Sequence, residues 1–240
     1  MNLDQAARTT DAGPLGIDLQ GAARRFGSRW VLRGVELQVR AGEVVALTGR
    51  NGSGKTTLLR ILATLLRPNR GTVTIFGRDA AKDPDFVRQR LGFLAHNPGI
   101  YDDLTASENL LFAQRMNGLR PDAAERAAVL DRVGLTDAAH DRARGFSAGM
   151  RRRLALGRLL LRPPLLMLLD EPYASFDADG IALVNELARE TAARGGCVVI
   201  ATHDLDRASI VMSRRVDVRD GLLFPVAAPD RSLQLVRGGK

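Results

Sequence analysis

The chain has 240 residues, 45% of them hydrophobic and 26% charged, and its 35 Lys and Arg against 27 Asp and Glu give a formal net charge of +8. Such a composition can bury a core, and the single cysteine excludes a disulfide framework or thiolate cluster and fits a reducing, cytosolic setting. No apolar run approaches the roughly 18–20 residues of a membrane-spanning helix, and the first ten residues have no hydrophobic signal core, so the chain is not expected to cross or leave a membrane by itself.

The positive charge points to an anionic partner: nucleotide, acidic lipid or nucleic acid. The arginines are scattered, with one cluster at Arg151-Arg152-Arg153, and no aromatic residues alternate with them as a single-strand stacking platform requires. A generally basic surface, possible neighbour of a membrane, is therefore expected rather than a nucleic-acid groove.

In chain order, residues 1–16 lack any period and read as a loose tail, with structure starting near Ile17. Val35, Leu37 and Val39 alternate with polar residues, the period of a strand with one wet face. Residues 43–47 form a short apolar, β-branched run, a buried strand, and residues 56–66 carry the leucine spacing of a helix. Residues 72–76, between Gly71 and Gly77, read as another alternating strand, so an antiparallel layer is expected beside the buried one.

From about 83 to 162 the character becomes helical. Thr105 and Glu108 form a capping box before an apolar run, and Pro121 opens a further helix that Gly134 can close. A helical insert over about 97–160 is expected. Residues 165–169 and 197–202 are two more apolar runs, separated by a helix with Ile181, Val184, Leu187 and Ala188 on one face. Strands alternating with helices imply an α/β class with parallel pairing. The ordered domain is expected to end near 223, leaving 224–240 as a second tail.

Between the strand at 43–47 and the helix at 56–66 stands Gly49-Arg50-Asn51-Gly52-Ser53-Gly54-Lys55-Thr56-Thr57. It matches G-x-x-x-x-G-K-[ST], whose glycines let backbone N–H groups curl round phosphate oxygens at a helix N-terminus. Lys55 is positioned for the β- and γ-phosphates and Thr56 for Mg²⁺, making a nucleoside triphosphate the expected ligand. The run at 165–169 ends in Asp170-Glu171, two carboxylates at the edge where ligands of open α/β sheets bind. Asp170 suits Mg²⁺, and Glu171 suits a general base on water. His203 follows the next strand at a comparable position and should converge with Glu171. Ser147 and Gly149 precede a helix and make a second anion-binding device, which one chain does not obviously need for one phosphate; a copy supplied across a two-fold interface would use it.

Together these residues resemble the ATP-binding subunits of ABC transporters over about 17–223. Residues 49–56 look like Walker A, 146–150 like the signature "LSGGQ", 165–171 like Walker B and Ala174-Ser175-Phe176-Asp177 like the D-loop, while His203 matches the switch histidine. The resemblance implies a P-loop NTPase core of RecA-like type with a mixed sheet, an antiparallel β layer and an inserted helical subdomain. It also implies ATP and Mg²⁺ as cofactors, Phe26 stacking on adenine, and Asp177 at the nucleotide. The signature has Ala148 and Met150 where the consensus has Gly and Gln, and His96 stands where the family carries the metal-linked Gln. "HNPG" followed by "LTASENLLF" is similar to the haem-exporter ATPases of cytochrome c maturation, as is "DEPYASFDADG".

The implied partners are a second ATP-binding subunit, in a homodimer sandwiching nucleotide, and an integral-membrane permease on separate chains, docked around 96–104 at the cytoplasmic face of the cell membrane. Export of drugs, lipids or polysaccharides would use the same chemistry. A soluble ABC ATPase acting on nucleic acid or ribosomes is disfavoured, for the chain has neither a long coiled-coil or zinc-bearing insert nor two ATPase units.

Overall fold

The computed structural model describes residues 13–226, so the two expected tails fall largely outside the described residues. The elements run β1 (Leu15–Phe26), β2 (Arg29–Arg40), β3 (Val44–Thr48), α1 (Lys55–Leu62), β4 (Arg70–Ile75), β5 (Arg78–Asp79), α2 (Pro84–Arg88), β6 (Leu91–Leu94), α3 (Ala106–Met116) and α4 (Ala123–Arg132). They continue with α5 (Ala148–Leu160), β7 (Leu166–Asp170), α6 (Ala178–Ala193), β8 (Cys197–Ala201), α7 (Leu205–Ser209), β9 (Arg214–Arg219) and β10 (Leu222–Val226). The first strand thus starts two residues before the expected Ile17, and the last runs three residues past the expected end at 223.

A six-stranded sheet has the order β10-β9-β3-β8-β7-β6, and a four-stranded sheet the order β2-β1-β4-β5. The smaller sheet is antiparallel throughout; the larger is parallel except where β10 turns back on β9. Pro225 is tolerated because β10 is an edge strand, where a missing N–H leaves no ladder partner unserved.

Period-2 geometry divides the apolar strands between two cores. Ala46, Met167, Leu169, Val198 and Ile200 face the helical side with α3 to α6, whereas Val45, Leu47, Leu166, Leu168 and Val199 face α1 and the small sheet. Burial of both faces is why these strands read as continuous apolar runs rather than as alternating ones.

Local signals set several ends. The capping box closes at both bonds, Glu108 N–H to Thr105 Oγ1 at 3.1 Å and Thr105 N–H to Glu108 Oε2 at 2.8 Å. α4 starts two residues after Pro121, because Asp122 accepts from the backbone of Ala124 and Glu125 and so caps it. α1 stops four residues short of the expected 66: Thr64 turns left-handed at φ 58° and the N–H groups of Leu65 and Leu66 both donate to the Arg60 carbonyl.

The stretch expected to be helical from 83 contains a strand instead, β6, parallel to β7. Its Gly92 marks close approach, since a Cβ there would fall 2.7 Å from Pro164 Cγ. A similar contact seals Cys197 under β1: the thiol is fully buried, and a Cβ at Gly16 would fall 2.1 Å from its Sγ.

Candidate functional site

Strand order does the assembling. Along β3-β8-β7-β6, the C-terminal ends deliver in turn the glycine loop, His203, Asp170 with Glu171, and the segment holding His96. All emerge at one edge of the sheet, where ligands of open α/β sheets bind.

The loop wraps because Gly49, Gly52 and Gly54 adopt φ of 134°, 77° and 116°. Gly49 also has no room for a side chain, for a Cβ would sit 2.3 Å from the Val218 carbonyl oxygen. α1 begins at Gly54 with no side-chain cap and no acidic residue in its first turn, so its N–H groups face outward as anion donors. Lys55 is only 6% exposed; its ammonium donates to the Gly49 carbonyl at 2.7 Å and the Arg50 carbonyl at 3.3 Å, bending it over the loop.

Thr56 donates its hydroxyl to the Asp170 carboxylate, with oxygens at 2.9 and 3.2 Å. Burial pushes the Asp170 carboxyl above its ordinary range, against the opposing pull of the Thr56 hydrogen bond. Among the described residues no cluster of three or more His, Cys, Asp or Glu forms a metal cage. A hydroxyl and one carboxylate side by side are hard oxygen donors, and that set fits Mg²⁺ completed by phosphate oxygens and water.

Glu171 stands at φ 49°, a left-handed conformation costing a non-glycine residue about 1–3 kcal/mol. Its N–H donates to the Ala201 carbonyl at 2.8 Å, and its Oε2 lies 2.8 Å from His203 Nδ1. The expected convergence of these two side chains is present before any ligand is considered.

A cavity of about 530 Å³ is lined by Asn51, Gly52, Ser53, Gly54, Lys55, Thr56, Thr57, His96, Asp170 and Glu171, and also by Arg29 and Val31. The last two were missed in the sequence, although Phe26, expected at adenine, precedes the same hairpin turn. A neighbouring cavity of about 560 Å³ lies across the loop, against Gly49, Trp30 and Asp220.

Six expected residues do not line the cavity: Gly49, which borders the neighbouring one, His203, which meets Glu171 beside it, and Phe26, Ser147, Gly149 and Asp177. Phe26, at the hairpin tip, is 47% exposed with the Arg24 guanidinium 4.9 Å from its ring centroid. Ser147 caps α5 by accepting from Met150 N–H at 3.2 Å, and a Cβ on Gly149 would fall 2.9 Å from the Ser175 carbonyl oxygen. Asp177 caps α6 and accepts from Arg153 at 2.6 Å, which together hold its carboxyl below the usual range.

The arginine cluster is not a free basic patch. Arg151 pairs with Asp102, Arg153 with Asp177, and Arg152 is buried with its guanidinium on two backbone carbonyls. Charge alone, read from sequence, cannot distinguish such arginines from solvated ones.

A glycine-wrapped helix N-terminus with Lys and Thr, beside a strand that ends in two carboxylates, defines a phosphate-loop nucleotide triphosphatase. The ABC transporter family pattern matches residues 32–174, and the chain belongs to that family as an ATP-binding, ATP-hydrolysing subunit of a transporter. It is 44% identical to the cytochrome c biogenesis ATP-binding export protein of Cupriavidus metallidurans over 180 residues, 75% of this chain and 85% of that one. It is 36% identical to the daunorubicin resistance ATP-binding protein of Streptomyces coeruleorubidus over 225 residues, 93% of this chain and 71% of that one. A solved ATP-binding subunit of an ABC transporter superposes with a TM-score of 0.80 at 27% identity, covering 93% of this chain and 95% of that chain.

Proposed function

We propose that the chain powers an exporter of haem and cytochrome c biogenesis, with Glu171 as general base. The observation that carries the chemistry is the Glu171–His203 contact beside the Thr56–Asp170 pair in the cavity of the phosphate loop. Asp170 and Thr56 hold Mg²⁺, which supplies charge stabilisation to the γ-phosphoryl oxygens when bound. Lys55 exchanges its two loop carbonyls for β- and γ-phosphate oxygens, while the loop residues Gly49, Asn51, Gly52, Ser53, Gly54 and Thr57 cradle the phosphate chain. Glu171 takes the proton of the attacking water, and His203, 76% exposed in its side chain, faces the γ-phosphate from the next strand.

Ser147, Gly149 and Asp177 line no part of the chain's own phosphate cavity, which supports their serving a second copy in a nucleotide-bridged homodimer. Phe26 offers adenine an exposed ring on the hairpin that also brings Arg29 and Val31 to the cavity. His96 lines the cavity where the family carries the metal-linked Gln, which supports it as a further candidate at the metal. No described helix is long and apolar enough to cross a membrane. The proposed permease partner is a separate polypeptide, met at the cytoplasmic face around 96–104.

The haem assignment is supported by the "HNPG" segment and by the Cupriavidus relative; the daunorubicin relative, matched over more of this chain, supports a drug exporter as second reading. The experiment is to purify the tagged chain from gently solubilised native membranes with Mg²⁺ and ATP and identify its companions by mass spectrometry. Permease subunits together with cytochrome c maturation proteins are expected. A permease without them would select the second reading, and ribosomes or nucleic acid without a permease would overturn both.

A further inference from the structure

Arg152, on the helix that follows Ser147, is 5% exposed, an unusual depth for a guanidinium. Nη1 donates to the Glu171 carbonyl at 2.9 Å, and Nη2 of the same group donates to the His96 carbonyl at 3.3 Å. One rigid fork therefore spans the segments that follow the paired strands β6 and β7. Burial lowers its ionisation below the usual guanidinium value, and the carboxylates of Asp170 and Glu171 oppose that shift.

Glu171 needs such a hold. Its left-handed φ of 49° persists only where the surroundings over-determine it, and the peptide is anchored on one side by the Ala201 carbonyl and on the other by Arg152. The same helix also grips the far end of the His96 segment, where Arg158 donates to the Gly99 carbonyl at 2.8 Å and Arg151 pairs with Asp102.

We infer that Arg152 is a positioning residue for hydrolysis: it fixes the Glu171 peptide, and through it the aim of the carboxylate, and couples that aim to the loop beginning at His96. A displacement of the loop is then felt at the base without passing through the nucleotide. This rests on Glu171 acting as the base.

The test is steady-state ATP hydrolysis by the full chain for Arg152→Gln, Arg152→Lys, Glu171→Gln and the Arg152→Gln/Glu171→Gln double variant, with affinity for a non-hydrolysable ATP analogue and melting temperature. Misaiming a catalytic group should lower kcat of Arg152→Gln roughly 10- to 100-fold, leaving KM and analogue affinity within about two-fold. Arg152→Lys, which keeps the charge but not the fork, should recover part of kcat at parental melting temperature. In the double variant the loss should equal that of Glu171→Gln alone, because both changes act through one group. Multiplicative losses, or kcat of Arg152→Gln within about two-fold of the parent, overturn the inference. If Arg152→Gln does not fold, Arg152→Lys decides: unchanged kcat overturns, reduced kcat with unchanged KM supports. Parental turnover in Glu171→Gln would instead remove Glu171 as the base, a failure distinct from an inactive Glu171→Gln beside fully active Arg152 variants.

Discussion

Glu171 and His203 are joined twice: Oε2 lies 2.8 Å from the ring Nδ1 and 3.4 Å from the His203 backbone N. The donors follow β8 and the acceptor follows β7, neighbours in the parallel sheet, so the sheet register itself sets this contact. The carboxylate is aimed by the fold rather than by the substrate.

Replacing the base without changing its shape should separate binding from chemistry. Glu171→Gln is expected to bind ATP with parental affinity and to lower kcat about 10²- to 10⁴-fold, the usual weight of a general base. His203→Ala removes the partner that orients the carboxylate and should lower kcat about 10-fold or more with little change in KM. Steady-state kinetics with equilibrium nucleotide binding checks both; parental kcat in Glu171→Gln would exclude it as base.

Lys55→Ala should act on binding instead. The lost charge-assisted contacts to phosphate are worth about 1.5–3 kcal/mol, which is roughly 10- to 150-fold in ATP affinity. Titration calorimetry reads this directly, and unchanged affinity would displace the phosphate-loop assignment.

Asp170 lends itself to a pH experiment. Burial raises its carboxyl above the ordinary value of 3.8, so between that value and the raised one the folded chain holds more proton than the unfolded chain. Stability from this group therefore falls as pH rises through that window and stays low above it. Asp170→Asn keeps an acceptor for the Thr56 hydroxyl and removes the buried charge. Without nucleotide, it should melt higher than the parent at pH 7, the gap closing as pH drops towards 3.8. Differential scanning calorimetry across pH reads the gap; a variant melting lower at pH 7 would contradict the sign.

Gly49→Ala should be among the most damaging single-methyl additions. A Cβ 2.3 Å from the Val218 carbonyl meets backbone that cannot swing aside, and the φ of 134° is itself strained for alanine. Destabilisation of about 1–3 kcal/mol is expected from the backbone conformation, with the clash in addition. Urea unfolding measures it.

The parts legible in the sequence were those where one local pattern has one structural outcome. The glycine loop, the apolar strands ending in Asp170 and the Thr105 capping box all follow from short-range rules, and each stands where its residues indicate. β6 was hidden because four residues around Gly92 carry too little period, and only β7 beside it makes them a strand. The true roles of Arg151, Arg152 and Arg153 were equally invisible: their partners Asp102, Glu171, His96 and Asp177 lie 19 to 56 residues away along the chain. Long-range pairing of this kind leaves no periodic trace.

The thiol pressed under Gly16 has a use in the laboratory. Cys197 has no surface in the folded chain, and burial pushes its ionisation up to about 12, so an alkylating reagent at neutral pH finds neither access nor thiolate. Modification must wait for β1 to part from β8, which makes alkylation of the sole cysteine a stopwatch for the separation of the small sheet from the large one. Timed with and without ATP, it would read how long the bound nucleotide keeps the two sheets together.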